Sequence, residues 1–581
     1  NIAGGVLRRN IKSFKEEVNA ETGQFRNDVT GVMANIDRQR VIGFNGSQYN
    51  ACGWITDGPI SEKPDPSICA MWGNPIAEMM YETMRYFAGE KKAHTSYDYG
   101  SGAKDSADPL NLTKENWIPP YETIANGGAG YLRCSKPAMT VLSDINPSYD
   151  SKVPGSRFSS FDAQSTALSD FNVSTEVRSI GSAEKINGNN YFIGQSNSSN
   201  ADQTPSVKTI DDLSWARGLS PQEPSKEGTY YSAGVARFAA NNSIFGNALG
   251  KNKLMTYAVA LASPLPEIRF PVGCNNNVTV APFAKSTGGG YGINTKKFTP
   301  TNQIVDYYVD QIANTGADNA DPAINGGRPY AEFRINYEDV EQGADHDMDA
   351  IARYTIQLNP DNKVQIDMVS EYAAGGIIQY MGYVISGTSK DGTYLEIRDK
   401  DTSVNDSVYY QFNTPPGQSP GYCVNKSTDP LCKVLGLSSR RTFTPSTTNA
   451  SGSFLKDPLW YAAKYGMPGR DPSKIEGNPD NYFLVTNATT LKEQLTKAFN
   501  DILQNTASVT QVSVDMPTSE ISNGANIYRT TFEAEYWSGD VIKEKIISGS
   551  RSKEWSAAEM RSEREKKKKK IYFAGSASGT P

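Results

Sequence analysis

The stretch WGNPIAEMMYETMRYFAG, residues 72–89, decides the fold, because it sets an amphipathic helix directly behind a Gly-Asn-Pro turn. Ile76, Met79, Met80, Thr83, Met84 and Phe87 recur at helical spacing and share one side. Asn74 suits the N-cap, Pro75 the first helical position and Gly89 the stop. A plain core helix does not need this turn, so Asn74 is expected to be aimed at something.

Outward from the helix, AMTVLSDINPSYD (138–150) is an apolar run that breaks at Ser143, Asp144 and an Asn-Pro turn. A buried strand that delivers polar residues at its C-terminal end has this form. KLMTYAVALASPLP (253–266) reads as a second such strand, closed by prolines. PDNYFLVTNATTLKEQLTKAFNDILQNTAS (479–508) gives a short strand at Tyr482 to Val485, then a helix with Leu491, Leu495, Phe499, Ile502 and Leu503 on one stripe. This alternation predicts an α/β fold, a parallel sheet covered by helices on both faces. Residues 146–235, rich in Ser, Asn, Gly and Asp, read as long loops. Residues 330–412 carry β-type runs such as AIARYTIQL and KVQIDMVS between Asp-Asn and Asp-Gly turns, the pattern of an antiparallel insertion. NIYRTTFEAEYWSGDVIKEKI (526–546) reads as a hairpin or meander.

Composition narrows the function classes. The 581 residues carry 58 Lys plus Arg against 64 Asp plus Glu, a net charge of −6 without the positive field that nucleic-acid binding needs. No apolar run reaches the roughly 18 residues of a membrane span. The opening NIAGGVLRRN has neither Met nor a signal peptide and reads as a mature or cut fragment. Cys52, Cys69, Cys134, Cys274, Cys423 and Cys432 contain no CxxC, so disulfides in an oxidising compartment are expected over zinc or haem. Cys52/Cys69 and Cys423/Cys432 are near enough in sequence to staple local loops, though sequence cannot choose the connectivity. Only His94 and His346 are present and no GxSxG, HExxH or P-loop accompanies them, so the chain is not expected to be an enzyme.

The order of parts resembles a von Willebrand factor type A domain, a doubly wound sheet with a metal-dependent adhesion site at the C-terminal edges of its strands. GNPIAE resembles the metal-site loop that precedes a helix, and VLSDINP the loop whose Asp ends a strand. A narrower resemblance, to the N-terminal half of the PilC/PilY pilus proteins, rests on CGWITDGPISE, WGNPIAEMMYETMRYFAG, CSKPAMTVLSD, INYEDVEQGADHDMDAIARY, GGIIQYMGYVISGT, DPLWYAAKYG, GNPDNYFLVTN and YWSGDV in series order. It implies an inserted type A-like domain: a first part over 1–284 with its first strand missing, a β-rich insertion over 285–455, a closing helix-strand-helix over 456–507, and the start of a β-propeller over 508–581. The DxSxS turn of the type A metal site is absent from the chain, and Asn74 stands where a Thr is usual.

The resemblance implies an extracellular type IV pilus tip protein, exported through the periplasm of a Gram-negative-type bacterium. It would act in pilus assembly and adhesion, with minor pilins and a surface or host-cell receptor as partners. A divalent cation, Mg or Ca, would be held in part by Asn74 and Asp144. A second candidate for calcium is the acidic cluster Glu338, Asp339, Asp345, Asp347 and Asp349, where alternate carboxylates can converge on a hard cation. The rival readings are a structural tip cap without a receptor and a secreted carbohydrate-active enzyme.

Overall fold

The computed structural model describes residues 4–38, 74–98, 111–132, 135–198, 206–218, 227–244, 253–262, 267–272, 276–287, 302–316, 320–339, 348–373, 378–400, 413–433, 435–446, 451–506, 513–515, 526–533, 538–547 and 550–563. The chain divides into two compact units, Asn1–Thr490 and Leu491–Pro581. In the first, α1 (Val32–Arg38) and α2 (Ile76–Phe87) precede β1 (Ala138–Asp144). Next come α3 (Val173–Ala183), β2 (Asn189–Ile193), β3 (Ser206–Ile210), α4 (Tyr231–Asn241) and β4 (Met255–Leu261). A run of strands follows: β5 (Ile268–Val272), β6 (Asn276–Thr287), β7 (Asn302–Ala313), β8 (Tyr330–Asp339) and β9 (Ala350–Leu358). It continues through β10 (Val364–Ala373), β11 (Ile378–Ser386), β12 (Gly392–Arg398) and β13 (Ser438–Phe443). The helix α5 (Pro458–Tyr465) and strand β14 (Tyr482–Val485) close the unit.

The fold is mixed α/β with several sheets, none of them closed. β1, β4 and β14 form a parallel sheet in that order, with β4 central and buried from Met255 to Ala260. β1 lies at an edge of the described sheet and leaves Leu142 49% exposed, so a run that reads as a buried strand has one open face. α4 packs on α2, α3 and α5. Gly234 lets α4 approach α3, since a Cβ there would press into Val177 and Val173. α2 buries Ile76, Met80, Tyr81, Met84 and Phe87, each contributing about 1.5–3 kcal/mol.

The predicted stripe of α2 is nonetheless too narrow. Met79 is exposed, while Glu78, Glu82 and Arg85 are buried on the far side under the N-terminal segment and the loops around residues 94 and 152–164. Arg85 pairs with Glu82 at 2.5 Å, which makes its burial tolerable.

The expectation of long loops over 146–235 is corrected. α3 occupies 173–183, capped by Asn172, and buries Val173, Val177 and Ile180 at helical spacing; β2 and β3 form a hairpin. The Ser and Gly content of VSTEVRSIGSA masked that stripe. α5 obeys its sequence closely: the Asp457 carboxylate accepts the Trp460 amide at 2.8 Å and Pro458 opens the helix. The buried Asn481 donates to Thr256 O and Ala463 O, tying β14 to β4 and α5.

The β-rich part is a sandwich. One sheet has the order β13-β10-β9-β8-β7 and the other β12-β11-β6-β5, and a shared apolar core fills the space between them. AIARYTIQL alternates strictly, with Ala350, Ala352, Tyr354, Ile356 and Leu358 inside. β5 and most of β6, which the sequence boundaries place before the insertion, belong to this sandwich. A smaller cluster containing Phe192, Phe283, Tyr380 and Leu395 joins it to the β2–β3 hairpin, with Phe454 stacked on Phe192. Cys423 and Cys432 are bonded, as one of the expected local staples; Cys52, Cys69, Cys134 and Cys274 lie outside the described residues.

In the second unit, β15 (Ser513–Asp515), β16 (Asn526–Glu533), β17 (Ser538–Ile547) and β18 (Ser550–Ser556) form an open antiparallel meander in sequence order. Asp540 accepts the Ala558 amide at the start of the short helix that follows. The preceding helix Ala488–Thr506 exposes Phe499 and Leu503 on its predicted stripe. No described helix is long and apolar enough to cross a membrane.

Candidate functional site

The C-terminal edge of the parallel sheet brings Asn74 and Asp144 together. The side chain of Asn74 caps nothing: α2 starts at Ile76 without a side-chain cap bond. Instead Asn74 Nδ2 donates to Asn146 O at 3.1 Å and to Asp144 O at 3.4 Å, and Asn74 Oδ1 accepts the Ser143 hydroxyl at 3.1 Å. The Ser148 amide closes the loop onto Asn74 O at 2.9 Å. Asn74 therefore points its side-chain amide across the strand end and pins the loop after β1.

Asp144 is the exposed carboxylate of this mouth. Its Oδ1 accepts the Asn146 amide at 2.5 Å, an Asx turn that fixes its direction. The surrounding protein displaces part of the carboxyl's water and raises its pKa above the ordinary range, against the opposing bonds from Asn146. The donors at the mouth are all oxygens, the chemistry a hard cation requires. They amount to one carboxylate plus an amide and a hydroxyl already bonded to each other, so the rest of a coordination shell would have to come from outside the described residues.

Behind the mouth lie two acids that the sequence patterns did not single out. Glu78 and Asp150 are both 0% exposed. Glu78 accepts the amides of Gly4 at 2.6 Å and Lys152 at 2.8 Å. Asp150 accepts the Thr229 amide at 2.9 Å just ahead of α4. Loss of hydration pushes Glu78 up to about 8 and Asp150 up to about 7, the amide donors opposing; repulsion from Asp150 adds to the rise at Glu78. Sequence alone offered no signal, because Glu78 looks like a solvated helix position and Asp150 like a turn residue. Sealed from solvent, this pair lacks the open groove of a glycosidase.

The second predicted cluster is only partly described. Glu338 and Asp349 are buried beside the connection from β8 to β9, where Glu338 Oε2 accepts the Met348 amide at 3.3 Å. Asp339 ends β8, while Asp345 and Asp347 lie outside the described residues. Among the described residues no three His, Cys, Asp or Glu side chains gather as a metal site.

Two family models match these same regions. One, described as the second domain of PilY1 homologs, covers residues 1–239, which hold α2, β1 and the mouth. The other, described as the PilY1 homolog β-sandwich, covers 270–436 and so every strand of the sandwich except β13 and the first two residues of β5. A type IV pilus biogenesis factor PilY1 homolog of Xylella fastidiosa (strain Temecula1) is 46% identical over 573 residues, 94% of this chain. The chain belongs to the PilY1 family. It spans 38% of the length of that PilY1 homolog. No solved structure matches. The description of the Xylella relative names it a type IV pilus biogenesis factor.

Proposed function

We propose that this chain is part of an extracellular type IV pilus tip protein acting in pilus assembly and adhesion, with the sheet-edge mouth as its ligand-facing end. Family membership supports the pilus role. The observation that carries the binding role is the mouth itself: Asn74, Ser143 and Asn146 hold an exposed Asp144 at the C-terminal edge of a parallel sheet, where ligands of such folds gather. The type A-like reading of the sheet rests on the same juxtaposition, and the reading of β15–β18 as the first blade of a propeller rests on its four antiparallel strands.

Asp144 would supply the protein carboxylate to a divalent cation, and the cation would supply an open position for an acidic group of the partner. The protein's part is to fix the carboxylate: the Asn146 amide orients it and Asn74 holds the loop through Asn146 O. Minor pilins at the pilus tip and a surface or host-cell receptor are the proposed partners.

Calcium and magnesium titrations followed by thermal shift, with metal analysis of the purified protein, test this. A divalent ion at a hundredfold excess over Kd is expected to stabilise the wild type by about 3 kcal/mol, and Asp144→Ala to abolish the gain. Loss only in Asp347→Ala moves the ion to the acidic cluster of the sandwich. No stabilisation at all favours the structural cap, a reading supported by the engagement of the Asn74 amide within the protein.

A further inference from the structure

Glu78 and Asp150 do more than fill space behind the mouth. Between them they grip four separate segments: the N-terminal segment at Gly4, the first turn of α2, the loop after β1 at Lys152, and the entry to α4 at Thr229. The Ala77 amide of α2 also points at Asp150, so this carboxyl meets the starts of both α2 and α4. Asp150 Oδ2 has no hydrogen-bond partner among the described residues. Among the described residues no cation is bonded to either acid: the polar groups that reach them are the amides just named and the Thr229 hydroxyl. Facing the pair are Lys152 from the loop, Tyr97 from the segment after α2 and Tyr231 from α4. One turn along α2, Glu82 and Arg85 are already paired with each other.

We propose that Glu78 and Asp150 form a proton-operated clamp that ties these four segments into one rigid support for the mouth, and that loses its grip when both carboxyls ionise. Two buried anions without a paired cation repel each other and have given up their water, whereas one protonated carboxyl removes the repulsion and most of the desolvation cost. Each ionisation releases one proton to water, and the two steps are coupled. Both acids have folded-state pKa values raised above their unfolded ones. Their stabilisation is therefore complete below about 4 and is lost as pH rises through about 7 and 8. The mouth is best supported in neutral to mildly acidic surroundings. That consequence for binding rests on the reading of the mouth as ligand-facing; the clamp does not.

Hydrogen exchange of the Gly4, Ala77, Lys152 and Thr229 amides between pH 6 and 9, corrected for intrinsic exchange, reads the clamp directly. In the wild type the opening constant is expected to rise with pH by about tenfold per unit for each proton released on opening, and to level off above about 8, where both carboxyls are already ionised. Asp150→Asn places its amide where Oδ2 has no partner and is the milder variant; Glu78→Gln turns a donor towards Gly4 or Lys152. The double variant is expected to lose the slope. A wild type without a slope, or a double variant that keeps it, overturns the proposal. Infrared spectroscopy of the wild type needs no variant: carboxylic-acid bands present at pH 6 and gone at pH 9 support the clamp, and their absence at pH 6 overturns it. Asp144→Ala, which tests ion binding, is expected to leave the slope unchanged, so the two readings fail separately.

Discussion

The sandwich and the mouth of the parallel sheet both bury charge, and they do it in opposite ways. In the sandwich, Arg441 holds Glu396 through two nitrogens at 2.6 and 3.0 Å, and the Tyr383 hydroxyl donates to the same carboxylate. On its outer face, Asp310 meets Arg334, Glu371 meets Arg353, and Asp367 meets Arg440 across neighbouring strands. Behind the mouth, the donors to Glu78 and Asp150 among the described residues are neutral amides and a hydroxyl. Without a bonded counter-charge among the described residues, loss of hydration pushes Glu78 up to about 8 and Asp150 up to about 7. On the proposed clamp, the acids behind the mouth are the part that responds to pH.

The largest test strikes the sandwich. Arg441→Met strands Glu396 and the Thr414 carbonyl, to which Arg441 also donates, and is expected to cost about 3–5 kcal/mol in chemical denaturation. Replacing Glu396 by Gln in the same chain is expected to recover part of that loss, because the uncompensated charge is gone. Little recovery would mean the pair is held for packing, and the contrast with the mouth would weaken. Opening the staple comes next. Cys432→Ser frees a loop of nine-residue separation and should cost about 2–3 kcal/mol of chain entropy, lowering the denaturation midpoint without touching the mouth. The smallest effect is expected at the mouth: Asn74→Ala removes the bonds to Ser143 and Asn146 at a part-exposed site and should cost about 1 kcal/mol. Its sharper readout is faster amide exchange at Ser148 with unchanged exchange in β9 and β10.

Sequence alone supplied much of the frame. The helix behind Gly-Asn-Pro, the strand ending in Asp144, the alternation of β9 and the cap at Asp457 follow from local rules of periodicity, turn chemistry and capping. These rules act within a few residues, so a single chain displays them. Family resemblance carried the order of the parts, and the pairing of Cys423 with Cys432 needed only short separation.

Other features depended on distant segments. α3 went unseen because Ser and Gly dilute a real stripe, and the exposure of Met79 beside buried Glu78 and Glu82 depends on which loops fold over α2. Asn74 looks like a cap in sequence, and only the approach of β1, some seventy residues later, turns its amide to the strand end. Burial is set by what the rest of the chain brings to a residue. For that reason sequence determined which oxygens stand near the mouth, and tertiary structure alone decided that Asp144 meets water while Glu78 and Asp150 lose it.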